Sequence, residues 1–275
     1  MKKIAKIGID QLRINLPILS TRKHIKTKRN KMWDEFDFTI NDIDQLLSLK
    51  KILSKPAKRD TGKNGYNKSL VYGSIAQGGF ISIMYNRSRK DMGVLVEITA
   101  TGKKVYESLC RDKGIIVDWK KIISRVYQEF RGHLSRVDIA IDFINYNYLV
   151  SDIWNKLQEE QYLFLNARNQ KINSQKIKGI NSVEGAQTIY VGSRKSDSYL
   201  RIYDKKVEQL KKKGIYYQLA NKVNNWTRIE GEFKHRESKR IGSEISTMPM
   251  FDLNSYLAEI ILRHWKLVAK SDKED

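Results

Sequence analysis

Between Ser135 and Phe143 the chain alternates with a period of two. Val137, Ile139, Ile141 and Phe143 are apolar, and Arg136, Asp138, Ala140 and Asp142 stand between them. Side chains of a strand point alternately to its two faces, so one face here is core and the other presents two carboxylates. The same parity recurs in Trp226–Phe233, where the even positions are Trp226, Arg228, Glu230 and Glu232. In Tyr199–Lys205 the odd positions are Tyr199, Arg201, Tyr203 and Lys205, and in Val94–Ile98 Glu97 stands opposite Val94, Val96 and Ile98. Further strand-like runs fall at 7–18, 69–74, 79–86 and 187–192. Helical spacing appears at 41–53, 103–111, 118–131, 150–160, 204–213 and 249–268. Short turns join several strands, which predicts an α+β fold: a mostly antiparallel mixed β-sheet with packed helices.

Composition narrows the partner. Lys plus Arg number 52 against 31 Asp plus Glu, a formal net charge of +21 over 275 residues. Such a charge selects a polyanion, either nucleic acid or an anionic membrane surface. No basic amphipathic helix or lipidation motif stands out, and no apolar run reaches the roughly 18 residues of a membrane span, so nucleic acid is preferred. The only cysteine, Cys110, excludes an intrachain disulfide and a Cys-rich zinc module. No apolar stretch of signal-peptide type follows MKKIAKIGIDQ, and a cytoplasmic protein is expected. Three prolines and no low-complexity tract leave no visible linker, so residues 1–275 read as a single domain. Two basic loops, 22–31 and 55–68, stand out; in the second, Lys55, Lys58 and Arg59 are candidates to track a phosphate backbone.

Carboxylates gathered on one sheet face repel one another unless a cation compensates. Oxygen ligands select a hard divalent ion, Mg²⁺ or Mn²⁺, which polarises a phosphodiester. Asp138 and Asp142 are four residues apart, about 13 Å in a strand, so one ion cannot be held directly by both. One of them has to pair with acids from other strands; Glu97 and Glu232 come next, then Glu230, which has Arg228 or Arg136 as rival partners. Tyr203 stands between Arg201 and Lys205, cations that bind phosphate and favour the phenolate, and an activated tyrosine is a competent nucleophile. A solvated strand face would carry the same mixed charges, and parity alone does not place the strands on one face. If they share it, the chemistry is tyrosine transesterification on DNA.

The segment 188–208, TIYVGSRKSDSYLRIYDKKVE, resembles the signature of the rolling-circle replication initiators of the staphylococcal plasmid type, shared with relaxases of some integrative elements. A Tyr-x-Gly-Ser-Arg turn is matched by Tyr190, Gly192, Ser193 and Arg194, and an Arg-Ile-Tyr-x-Lys strand by Arg201, Ile202, Tyr203 and Lys205. Arg136, Asp138, Ala140, Asp142 and Phe143 match an acidic strand, and Trp226, Arg228, Glu230 and Glu232 a later one. The resemblance implies that Tyr203 attacks the scissile phosphate, leaving a 5′-phosphotyrosyl enzyme and a free 3′-hydroxyl. It also implies a divalent metal on the acidic strands and a host helicase as partner. A single-stranded or extruded origin segment is the expected substrate, and a homodimer the oligomer considered. Tyr190 is the rival nucleophile and, with Arg194, Tyr199, Arg136 and Arg228, a candidate DNA contact. His24, His133, His235 and His264 form no His-hydrophobe-His pair, as expected of this type rather than the histidine-bearing one. Plasmid members usually continue into an origin-recognition region, which is not evident after the helix at 249–268.

Overall fold

The computed structural model describes residues 2–19, 25–26, 32–181, 187–249 and 253–270. The chain begins with strand β1 (Ile4–Leu16), the short pair β2 (Ile25–Lys26) and β3 (Met32–Trp33), and helices α1 (Glu35–Leu47) and α2 (Leu49–Ile52). Strands β4 (Ala57–Arg59), β5 (Lys68–Ser74), β6 (Gly79–Tyr85) and β7 (Val94–Ile98) follow, then helices α3 (Ala100–Asp112) and α4 (Trp119–Gln128). Next come β8 (His133–Ile144), α5 (Val150–Gln158), β9 (Tyr162–Leu165), β10 (Ile177–Asn181), β11 (Gln187–Val191) and β12 (Ser198–Asp204). The last elements are α6 (Lys205–Lys212), α7 (Tyr217–Lys222), β13 (Trp226–Lys234), α8 (His235–Thr247), α9 (Leu253–His264) and β14 (Lys266–Ala269). The fold is α+β.

Two compact units divide the chain: Met1–Ile9, Asp138–Lys234 and Asp252–Asp275 form the first, and Asp10–Val137 with His235–Phe251 the second. In the first unit the strand order is β10-β11-β12-β13-β8. Its register aligns Ile189 with Ile202 and Ile202 with Ile229, and Val191 with Leu200 and Leu200 with Gly231. Ile189, Val191, Leu200 and Ile202 are almost wholly buried; each such side chain contributes roughly 1.5–3 kcal/mol. Gly231 interrupts this apolar row because a Cβ there would lie 2.6 Å from Ile261 Cδ1 of α9 and 3.1 Å from Trp265. In the second unit β1 pairs antiparallel with β7, β7 with β6, β6 with β5, and β5 with β4. There Ile14, Val96 and Ile83 align as a buried row.

Several local expectations change. The helix expected over 41–53 begins earlier, because Asp34 and Asp37 form a reciprocal cap, and it breaks at Ser48, whose φ is +49°. The loop expected over 55–68 contains β4, and Tyr66 within it is buried, donating to the Met92 carbonyl. Of the loop 22–31, only 25–26 fall within the described residues. The helix expected over 249–268 spans 253–264; the chain then turns into β14, which pairs with β9. Helix α8 carries Ser238, Ile241, Gly242 and Ile245 at helical spacing on its buried side, a signal that was present but not read. Among the described residues no helix is long and apolar enough to cross a membrane.

Candidate active site

The hairpin β11–β12 sets the first part of the site. Gly192 has φ +93°, a conformation costly for any side chain, which is why the Tyr-x-Gly-Ser-Arg turn needs glycine there. Ser196 closes the turn, its hydroxyl donating to the Ser193 and Ser198 carbonyls. The register that follows puts Tyr190 opposite Arg201, and Thr188 opposite Tyr203. Across β12 and β13, Tyr199 faces Glu232, Arg201 faces Glu230, and Tyr203 faces Arg228. The candidate site residues of these three strands therefore share one sheet face.

Ion pairs join them. Arg201 donates to Glu230 Oε1, and the Tyr203 hydroxyl donates to Glu230 Oε2 at 3.0 Å. Asp142 accepts from Arg228 through both carboxylate oxygens at 2.7 Å and from Trp226 Nε1 at 2.7 Å. Asp138, 1% exposed, adds its charge to the surroundings of Arg201. Burial opposes the charge on Arg201, but Glu230 outweighs it and holds the guanidinium firmly protonated. Tyr203 goes the other way. Burial first and then the Glu230 charge push its phenol well above 10, against the weaker pull of Arg228 and Arg201. The phenol is thus protonated at neutral pH, and flanking cations alone do not make it a phenolate. It needs a base, and Glu230 is in reach.

Lys205 does not lie on the strand. It opens α6, is buried, and pairs with Glu208 at 2.5 Å; its Nζ still sits 5.6 Å over the Tyr203 ring. Asp204 makes the switch to helix by capping the Val207 amide at 2.8 Å. Beside the turn, Tyr190 and Tyr199 stack at 5.8 Å and 16°, with the Arg194 guanidinium 5.6 Å and 6.0 Å above their rings. Burial raises the Tyr199 phenol, with Arg194 opposing.

The acids expected to hold a divalent ion do not converge. Glu230 is occupied by Arg201 and Tyr203, and Glu232 is 3.0 Å from Lys234. Glu97 belongs to the second unit, where Arg13 at 2.6 Å and Lys63 at 3.0 Å hold it. Burial alone would raise the Glu97 carboxyl, but these two cations outweigh it and keep it below the ordinary range. Among the described residues no three His, Cys, Asp or Glu side chains form a group able to hold a metal ion. In this geometry arginine and lysine side chains neutralise these carboxylates. The donor set does not fit a preformed carboxylate site, and the chemistry below runs through the chain's own side chains. Arg136 lies in the second unit's part of β8. Lys55, Lys58 and Arg59 are exposed on and beside β4. Sequence reasoning missed the partner of Lys205, Glu208, which lies one helical turn downstream.

Residues 132–275, just over half the chain, match the family described as Replication initiation factor (Rep_trans). The chain belongs to that family. A protein of Bacillus subtilis (strain 168) named as a DNA relaxase, NicK, is 24% identical over 243 residues; the match covers 83% of this chain and 65% of the relative's length. The fold is that of a solved rolling-circle replication initiator protein from Geobacillus stearothermophilus. That structure aligns with a TM-score of 0.68 at 17% identity, covering 98% of this chain and 89% of its own.

Proposed function

We propose that this chain nicks one DNA strand at a replication origin by transesterification through Tyr203. The observation that carries the reading is the Tyr203 hydroxyl donating to Glu230 Oε2 at 3.0 Å while Arg201 holds the same carboxylate. A base at that distance is placed to take the phenol proton, a contribution of roughly 10²–10⁴-fold. The phenol oxygen attacks the scissile phosphorus as its proton passes to Glu230. The bond from phosphorus to the 3′-oxygen breaks, and that oxygen takes up a proton. The products are a 5′-phosphotyrosyl enzyme and a 3′-hydroxyl able to prime synthesis. Arg201, with Lys205 nearby, stabilises the charge gathering on the phosphate. Tyr190 and Arg194 offer a stacking surface for unpaired bases beside it, with the buried Tyr199 ring stacked against Tyr190. Arg228, held by Asp142, keeps a positive charge on the same face.

The whole of residues 1–275 is read as one nicking module, acting on a single-stranded or extruded segment in the cytoplasm and handing the opened strand to a host helicase. The relative named as a DNA relaxase favours a second reading of the same chemistry, that of a relaxase. The test incubates wild type, Tyr203→Phe and Tyr190→Phe with supercoiled DNA bearing the origin, with Mg²⁺, Mn²⁺ and chelator as arms. Wild type and Tyr190→Phe are expected to form a covalent protein–DNA adduct on denaturing gels. Tyr203→Phe is expected to bind DNA and form none. An adduct with Tyr203→Phe sinks the assignment, and DNA binding without nicking in every arm favours a non-catalytic nucleic-acid-binding protein.

A further inference from the structure

The first unit holds a cavity of about 500 Å³ that the reaction above does not use. Its floor is Phe143, Thr227 and Ile229, the opposite parity to Asp142, Arg228 and Glu230, so it opens behind the polar face rather than on it. Helix α5 walls it with Ile153 and Lys156. At the rim Tyr148 is 50% exposed, edge-on to Phe143 at 5.2 Å and parallel to Tyr146 at 5.5 Å and 14°. Lys3 Nζ lies 5.7 Å over Tyr146, and Lys156 Nζ lies 4.9 Å over the Tyr162 ring of the cavity wall, donating to its hydroxyl at 3.3 Å. Asn147 and Asp152 bring an amide and a carboxylate to the same space.

We propose that this cavity receives one unpaired base of the DNA strand. The inference rests on the reading that unpaired DNA is the substrate. An apolar peptide would cover the aromatic walls but offer no polar group to the Asn147 amide, the Asp152 carboxylate or the Lys156 ammonium that line the cavity. A planar base stacks on tyrosine, presents donors to Asp152 and acceptors to Asn147, and carries a phosphate toward the lysines. The chain's net charge of +21 draws the same polyanion. Thr227 fixes the rim by donating its hydroxyl to the Tyr148 carbonyl, a backbone contact that survives loss of the ring.

The test is fluorescence anisotropy of the full chain with a labelled single-stranded oligonucleotide and with the same oligomer made abasic. Tyr148→Ala and Lys156→Gln, checked for folding by thermal melting, are expected to bind the base-bearing oligomer about tenfold more weakly. Tyr148→Ala should bind the abasic oligomer as wild type does. In wild type, a 5-iodouracil oligonucleotide should crosslink within residues 143–162. If wild type binds neither oligomer, the substrate reading fails and takes the cavity with it. If wild type binds and Tyr148→Ala binds equally well, or crosslinks fall wholly elsewhere, the cavity assignment fails alone. Binding of a free deoxynucleoside monophosphate that Tyr148→Ala abolishes, with strand binding untouched, overturns the strand as its occupant.

Discussion

Asp142 takes both arms of the Arg228 fork and the indole N–H of Trp226. The side chains of the pair are 5% and 14% exposed, so water replaces little of what either would lose. Asp142→Ala strips a buried guanidinium of its carboxylate and is expected to cost about 3 kcal/mol, read as a lower urea midpoint. Glu208 supplies a pH signature. Burial would raise its carboxyl, but Lys205 outweighs burial and brings it from 4.5 to about 2. A carboxyl depressed in the folded chain lends stability that is complete above 4.5 and lost as pH falls toward 2. Glu208→Gln should therefore be less stable than wild type at pH 6, and the gap in urea midpoint should narrow at pH 3; a gap that stays constant removes the role. The identities of Tyr203, Arg201 and Glu230 were readable because each stands at a strand position of the right parity. The raised phenol was not readable, since it comes from burial and from a carboxylate 27 residues away in sequence.

Among elements, β13 shows how one strand serves two surfaces. Its Glu-Gly-Glu stretch puts carboxylates on the face of the candidate site and no side chain where α9 comes close. Gly231→Ala would set a Cβ 2.6 Å from Ile261 and 3.0 Å from Phe233. A cost of about 1–3 kcal/mol is expected, measured by thermal or urea unfolding, with Tyr203 chemistry retained in whatever fraction stays folded. The strands β1, β5 to β8 and β11 to β13, though not the short β4, β9, β10 and β14, were legible because alternation is a property of neighbours in sequence. Boundaries were less so. The helix expected through 268 stops at His264 because Lys266–Ala269 find β9 as a strand partner, and no local pattern announces a partner about a hundred residues upstream. Lys205 was placed on a strand because parity continues past Asp204; the cap that Asp204 gives Val207 ends the strand there.

For the molecule taken together, charge sets the prediction. With a net +21, binding to single-stranded DNA should fall steeply with salt, each neutralised phosphate adding about 0.7 to the slope of log affinity against log salt. Lys58 and Arg59 are exposed on β4. Replacing both with Gln should lower that slope by about 1.4, measured by anisotropy between about 50 and 200 mM salt. An unchanged slope would mean that these two cations face solvent alone. Class of partner, α+β composition and the residue types of the site were all present in the order of the amino acids, because periodicity and net charge need no long-range contact. Which acid met which cation was decided by strand register and packing. A register brings together residues tens of positions apart, and a single shift by one residue would send every one of these side chains to the other face. That is why the acids read as candidate ion ligands each meet their own cations, Glu97 with Arg13 and Lys63, Glu230 with Arg201, Asp142 with Arg228 and Glu232 with Lys234, with Asp138 buried beside Arg201.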